Sequence, residues 1–93
     1  MNKAFSTHVD KEIDHDGFHM TFANGCTISV MFGKFSYGDQ GQTTAEVAAW
    51  NSNGDWMVWN GDNWVVLTDG ATDVMSYQTA DEVANLIYSL KSI

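Results

Sequence analysis

The chain of 93 residues has no proline, no arginine and a single cysteine, and each lack removes a class of explanation. Without arginine there is no planar guanidinium fork for phosphate or carboxylate, which argues against a protein that binds nucleic acid or nucleotides directly. One cysteine, Cys26, cannot close an internal disulfide, and nothing matches a paired metal-binding cysteine motif, so a reducing cytosol fits. No apolar run reaches the ~20 residues of a membrane-spanning helix, so no membrane partner is expected. The opening MNKAFSTHVD, with one lysine and no apolar stretch, does not read as a secretory signal. With no repeat and no linker-like segment, residues 1–93 read as a single domain near the lower size limit for a self-sufficient core.

What the chain does have is acid and aromatic rings. Twelve acidic residues face four lysines, for a formal net charge of −8, while apolar residues make up 44% and aromatics 13%. Such a surface suits a basic partner, and it equally keeps a small protein soluble.

All four tryptophans, Trp50, Trp56, Trp59 and Trp64, lie in one stretch, TAEVAAW-NSNGD-WMVW-NGDN-WVVL (44–67). Its three β-branched and aromatic runs are separated by Asn53-Gly54 and Asn60-Gly61, which tolerate the positive φ of tight turns. This predicts a three-stranded antiparallel meander. Earlier in the chain, FHMTF (18–22) and CTISVMF (26–32) flank Asn24-Gly25 and predict a hairpin. Cys26, Ile28, Val30 and Phe32 point inward there, and Thr27, Ser29 and Met31 outward.

The remaining segments are read with varying definition. Residues 4–16 space Phe5, Val9 and Ile13 by four, which fits a helix or a strand. The hairpin-like sequence that follows favours strand, and one strand would project Asp10, Glu12, Asp14 and Asp16 from one face. Asp16-Gly17 reads as a turn. Residues 33–43 form a glycine-rich loop carrying Phe35 and Tyr37, TDGATD (68–73) is another turn, and VMSY (74–77) is a short extended piece. A helix follows, with Thr79 and Glu82 as a capping box and Val83, Leu86, Ile87 and Leu90 as its apolar stripe. The expected fold is α+β: a small antiparallel meander sheet of about five strands with the C-terminal helix packed on one face.

Three chemical readings fail on spacing. Glu12, Asp14, Asp16 and Gly17 imitate the start of a helix–loop–helix calcium loop, but Ala23 stands where its bidentate glutamate belongs. His8, His15, His19 and Cys26 do not form a zinc set, because a strand holds His15 and His19 about 13 Å apart. Cys26 alternates with Ile28 and Val30 and so reads as core, not as a nucleophile. The expectation is a protein with no enzymatic activity, no metal and no cofactor. The tryptophans are either cross-strand structural pairs or a binding patch rimmed by Asp55, Asp62 and Asp69, with sugar stacking as a further alternative.

The segments TFANGCTISVMFG, TAEVAAWNSNGDW and DVMSYQTADEVANLI resemble a family of short phage-encoded accessory proteins. Small acidic phage proteins of this kind are similar to inhibitors of host defence, anti-CRISPR proteins among them, which act by binding a protein without chemistry. The resemblance implies a phage inhibitor docking on a basic surface of a host protein or ribonucleoprotein complex, a CRISPR effector being one such complex. The residues expected to carry partner binding are Asp10, Glu12, Asp14 and Asp16 as phosphate mimics, with Tyr37, Trp56 and Trp59 as anchors. The alternative is a small-ligand or carbohydrate-binding module using the tryptophan-rich sheet face. The protein is expected to be a monomer or a homodimer.

Overall fold

The computed structural model describes residues 4–10, 15–32 and 44–93. They form seven antiparallel strands and one helix: β1 (Phe5–Asp10), β2 (His15–Thr21), β3 (Thr27–Met31), β4 (Thr44–Trp50), β5 (Trp56–Trp59), β6 (Trp64–Val66), β7 (Met75–Thr79) and α1 (Ala80–Lys91). The α+β expectation holds, with more strands than the five foreseen. Strands β1 to β6 lie side by side in chain order, and β7 pairs with β4. Strand β4 therefore shares its outer edge. Ala49 and Trp50 pair with Met57 and Trp56 of β5. Thr44, Ala45 and Val47 pair with Thr79, Gln78 and Met75 of β7.

Residues 5–10 are strand, as the hairpin-like context suggested, but the acidic segment is not one continuous strand. Asp10 pairs with His15 and Val9 with Asp16, so the chain reverses between them and positions 10 and 16 belong to opposite faces. Asp16-Gly17 is not a turn either. Gly17 sits inside β2, opposite His8 on one side and Met31 on the other. The reason for glycine is close approach: a Cβ at Gly17 would run into the carbonyl oxygen of Val30.

The core lies between the sheet and α1. Ile28, Val30, Val47, Ala49 and Met57 from alternate strand positions meet Leu86 and Leu90 of the helix, with Cys26 at one end. Phe18, Met20, Val83 and Ile87 pack around them. Period-2 alternation put the strand residues on one face, and the i, i+3, i+4, i+7 stripe put the helix residues opposite them. Phe32 departs from expectation; it is 36% exposed where the strand has already ended. Thr27 and Ser29 also depart, at 6% and 4% exposed on the face turned away from the helix. Their short side chains stand beside the tall rings of His19 and Trp50, which shield them.

Both ends of α1 are tied. The Thr79 Oγ1 accepts from the Glu82 N–H (3.2 Å) and the Glu82 carboxylate accepts from the Thr79 N–H (3.0 Å), completing the predicted capping box. At the far end, Asn24 Nδ2 donates to the carbonyls of Leu90 (2.8 Å) and Ile93 (3.0 Å), while its Oδ1 accepts from the Cys26 N–H (2.9 Å). One asparagine thus joins the β2–β3 turn to the helix C-terminus, satisfying carbonyls the helix cannot. Gly25 beside it adopts φ +88°.

Replacing Gly17 with alanine is expected to lower stability by about 1–3 kcal/mol, the usual cost of forcing atoms into a packed site, read as a lower urea midpoint. The hydrogen bonds from Thr79 hold the Glu82 carboxyl below its ordinary range. A lowered carboxyl stabilises the fold above its unfolded value, and that contribution is lost as pH falls through the folded value. The difference in melting temperature between the wild type and Glu82→Gln is therefore expected to shrink as pH drops from neutral into that acidic window.

Candidate partner-binding site

The tryptophans form two cross-strand pairs of tilted rings on opposite faces. Trp50 and Trp56 pair across β4 and β5 with ring centroids 5.8 Å apart, and His19 stands edge-on to Trp50 at 5.2 Å. Trp59 and Trp64 pair across β5 and β6 at 5.5 Å and pack against the helix-side core. The Asn51 N–H donates to the Asp55 carbonyl and the Asn60 N–H to the Asn63 carbonyl. Counting from these, both tryptophan pairs fall at non-hydrogen-bonded positions, where facing side chains stand closest. All four indoles are part-exposed. The Trp64 Nε1–H is buried with no acceptor among the described residues.

The described ones among the expected binding residues, Asp10, Asp16, Trp56 and Trp59, do not gather. Trp56 and Trp59 lie three positions apart on one strand and so point to opposite faces. Asp16 is exposed and lies level with Phe32, to whose N–H its carbonyl bonds, at the end of the sheet away from Trp56. Three strand spacings and about five residues of rise separate them, roughly 20 Å. Asp10 is in β1 at that same end. Glu12, Asp14 and Tyr37 lie outside the described residues, as does the first half of the calcium-like segment. His15 and His19 are both in β2, as the strand argument against a zinc site required. Among the described residues no cluster of three or more His, Cys, Asp or Glu could hold a metal ion.

What the fold does assemble is a cleft. Because β7 takes the upper half of the β4 edge, the β5–β6 ribbon leaves β4 after Met57 and its tip comes beside the start of α1. Trp59 and Gly61 of the ribbon, Gln78 of β7, and Asp81, Glu82, Asn85 and Leu86 of the helix line a cleft of about 390 Å³. Its chemistry is one indole, two carboxylates and two carboxamides. The six acids from Asp55 onward (Asp55, Asp62, Asp69, Asp73, Asp81 and Glu82) are all exposed, and Lys91 is the only lysine among the described residues. That lysine sits at the other end of α1, its Nζ 5.1 Å from the Tyr88 ring centroid. The carboxylates at the cleft outweigh the partial positive charge of the helix N-terminus.

A second hollow of about 400 Å³ is almost wholly apolar, lying between α1 and the sheet and lined by Phe18, Val30, Phe32, Val83, Ala84 and Ile87 among others.

Gln78, Asp81 and Asn85 escaped the sequence reading. Asp81 and Asn85 stand four apart on the helix flank, one turn in register, and that spacing was the available signal. Their meeting with Trp59 had none. Tyr77 was missed as well. Ser76 and Tyr77 together oppose Glu46 in a bulge, which leaves Tyr77 at φ +58° and 65% exposed. An aromatic residue in the left-handed region is a genuine outlier.

Cys26 is buried, and burial pushes its thiol up. It is expected to resist a thiol-reactive disulfide reagent in the native protein and to react fully once urea unfolds the chain. Fast native labelling would remove it from the core.

No protein-family model, no curated protein and no solved structure matches this chain.

Proposed function

We propose that this protein works by binding, without chemistry, to a basic surface on a host protein or ribonucleoprotein complex. The observation that carries the reading is the cleft in which Trp59 meets Asp81 and Glu82 with no described lysine or arginine nearby. A lysine or arginine side chain lays its aliphatic stem on an indole face and its cation between carboxylates, so the cleft is complementary to such a side chain. The exposed acids of the turns, Asp55, Asp62, Asp69 and Asp73, supply the long-range field that steers a basic surface inward. In this reading the contact centres on Trp59, Asp62, Asp81 and Glu82, and the acids of the β1–β2 end, Asp10 and Asp16, add to the field from a distance. The resemblance to small phage accessory proteins supports an inhibitor of host defence, including one directed at a CRISPR effector.

A second reading has its own observation. The Gln78 and Asn85 carboxamides beside Trp59 are also the groups that hold a sugar ring stacked on an indole.

Capture from bacterial host lysate on the immobilised protein is expected to yield a basic partner, with association slowing steeply as salt rises. Asp81→Lys, at an exposed position, is expected to weaken that capture roughly tenfold or more, the scale of a centrally placed contact. Capture indifferent to both salt and Asp81→Lys sinks the proposal. A tryptophan emission shift with a monosaccharide panel, and none with a lysine-rich peptide, selects the sugar reading.

A further inference from the structure

We propose that the free edge of β6 is a self-pairing surface, through which two copies of the chain join antiparallel about a two-fold axis at Val65. Among the described residues β6 pairs only with β5, leaving its other edge at the end of the sheet. The bonds from Asn60 N–H to the Asn63 carbonyl and from Leu67 N–H to the Trp56 carbonyl fix the alternation along the ribbon. Asn63, Val65 and Leu67 spend their backbone groups on β5, so the N–H and C=O of Trp64 and Val66 point away from the sheet. Val65 and Val66 are 41% and 44% exposed. Strand β6 carries none of the devices that blunt an edge from within: no charge, no proline and no bulge.

The geometry favours a second copy over an arbitrary extended segment, because the sequence around Val65 complements itself. In that register Trp64 of one copy faces Val66 of the other, and each pair exchanges both backbone bonds. The two Val65 side chains meet across the axis. On the helix side, the Trp59–Trp64 row continues onto Val66 of the second copy, and the Met57–Val66 row onto its Trp64. The acids flanking the strand do not collide. Asp62 falls opposite Thr68 and Asp69 opposite Gly61, so no like charges stand directly across from each other. What opposes pairing is the net charge of −8 on each copy, a long-range term that salt screens.

Sedimentation over a concentration series, at ionic strengths of roughly 0.01 M and roughly 1 M, reads the proposal. The expected result is a concentration-dependent dimer that strengthens with salt, the opposite sign to binding of a basic partner. Val66→Pro removes an outward N–H and leaves the β5–β6 ladder intact, so it is expected to give a folded monomer. Val65→Lys and Val65→Glu are each expected to be monomeric alone and to form a heterodimer when mixed, since only unlike charges then face across the axis. A monomer at every concentration and salt, a dimer that survives Val66→Pro, or no pairing in the mixture overturns the proposal.

Discussion

Strand β4 has hydrogen-bond partners along both edges, and its outer edge is divided between two strands. The arrangement everywhere else follows from that division. Val47 and Ala49 are fully buried because β4 is central, and the strands on either side bring Ile28, Val30 and Met57 to the same layer. By holding the first half of β4, β7 sets the height at which α1 begins, and the helix then runs back across the sheet to meet Asn24. By holding only the second half, β5 parts from β4 beyond Met57, and Trp59 and Gly61 of its ribbon come to face Asp81 and Asn85 of α1 across the cleft. The cleft at Trp59 is the gap between these two consequences.

Apolar burial supplies most of the stabilisation, at roughly 1.5–3 kcal/mol for each large side chain fully removed from water. Ile28, Val47 and Leu90 are the largest side chains sealed in this way. Such a core is small, which explains why polar devices matter at its margins. The capping box at Thr79 and the triple use of Asn24 hold the two helix ends to the sheet, and the Trp59–Trp64 cross-strand pair stiffens the β5–β6 ribbon. Placing each indole pair at a non-hydrogen-bonded position brings the rings together without disturbing the ladder. Among the described residues no strand pairs with the far edge of β6.

Charge and architecture act on separate levels. Apart from the Glu82 carboxylate of the capping box, the fold depends little on the acids described on the turns and at the helix start, which are exposed and lie outside the core. They set the field instead, with the ribbon and the helix N-terminus giving it a local shape. Tyr77 shows the reverse relation. Its bulge lies where the β4–β7 register shifts, and it presents a phenol ring to solvent at a cost of the order of 1–3 kcal/mol in backbone strain.

Local rules determined much of this protein from its sequence alone. The Asn-Gly steps and Asp69-Gly70 located turns, although Asp16-Gly17 proved to lie within a strand; alternation assigned Ile28, Val30, Val47 and Ala49 to one face, and Thr79 with Glu82 marked where the helix begins. Each depends on residues within a turn or two of one another, so spacing is sufficient. Reversals inside an acidic segment are less legible. Asp10 and Asp16 share parity in the sequence and lose it in the fold, because a hairpin between them changes which face each position belongs to. Only the tertiary structure decided the rest: that β7 displaces β5 from half of β4, and that Trp59 finds Asp81 and Asn85. The physical reason is that a strand edge is contested by segments distant in the chain. The outcome turns on which pairing buries more apolar surface, a quantity no short window of sequence contains.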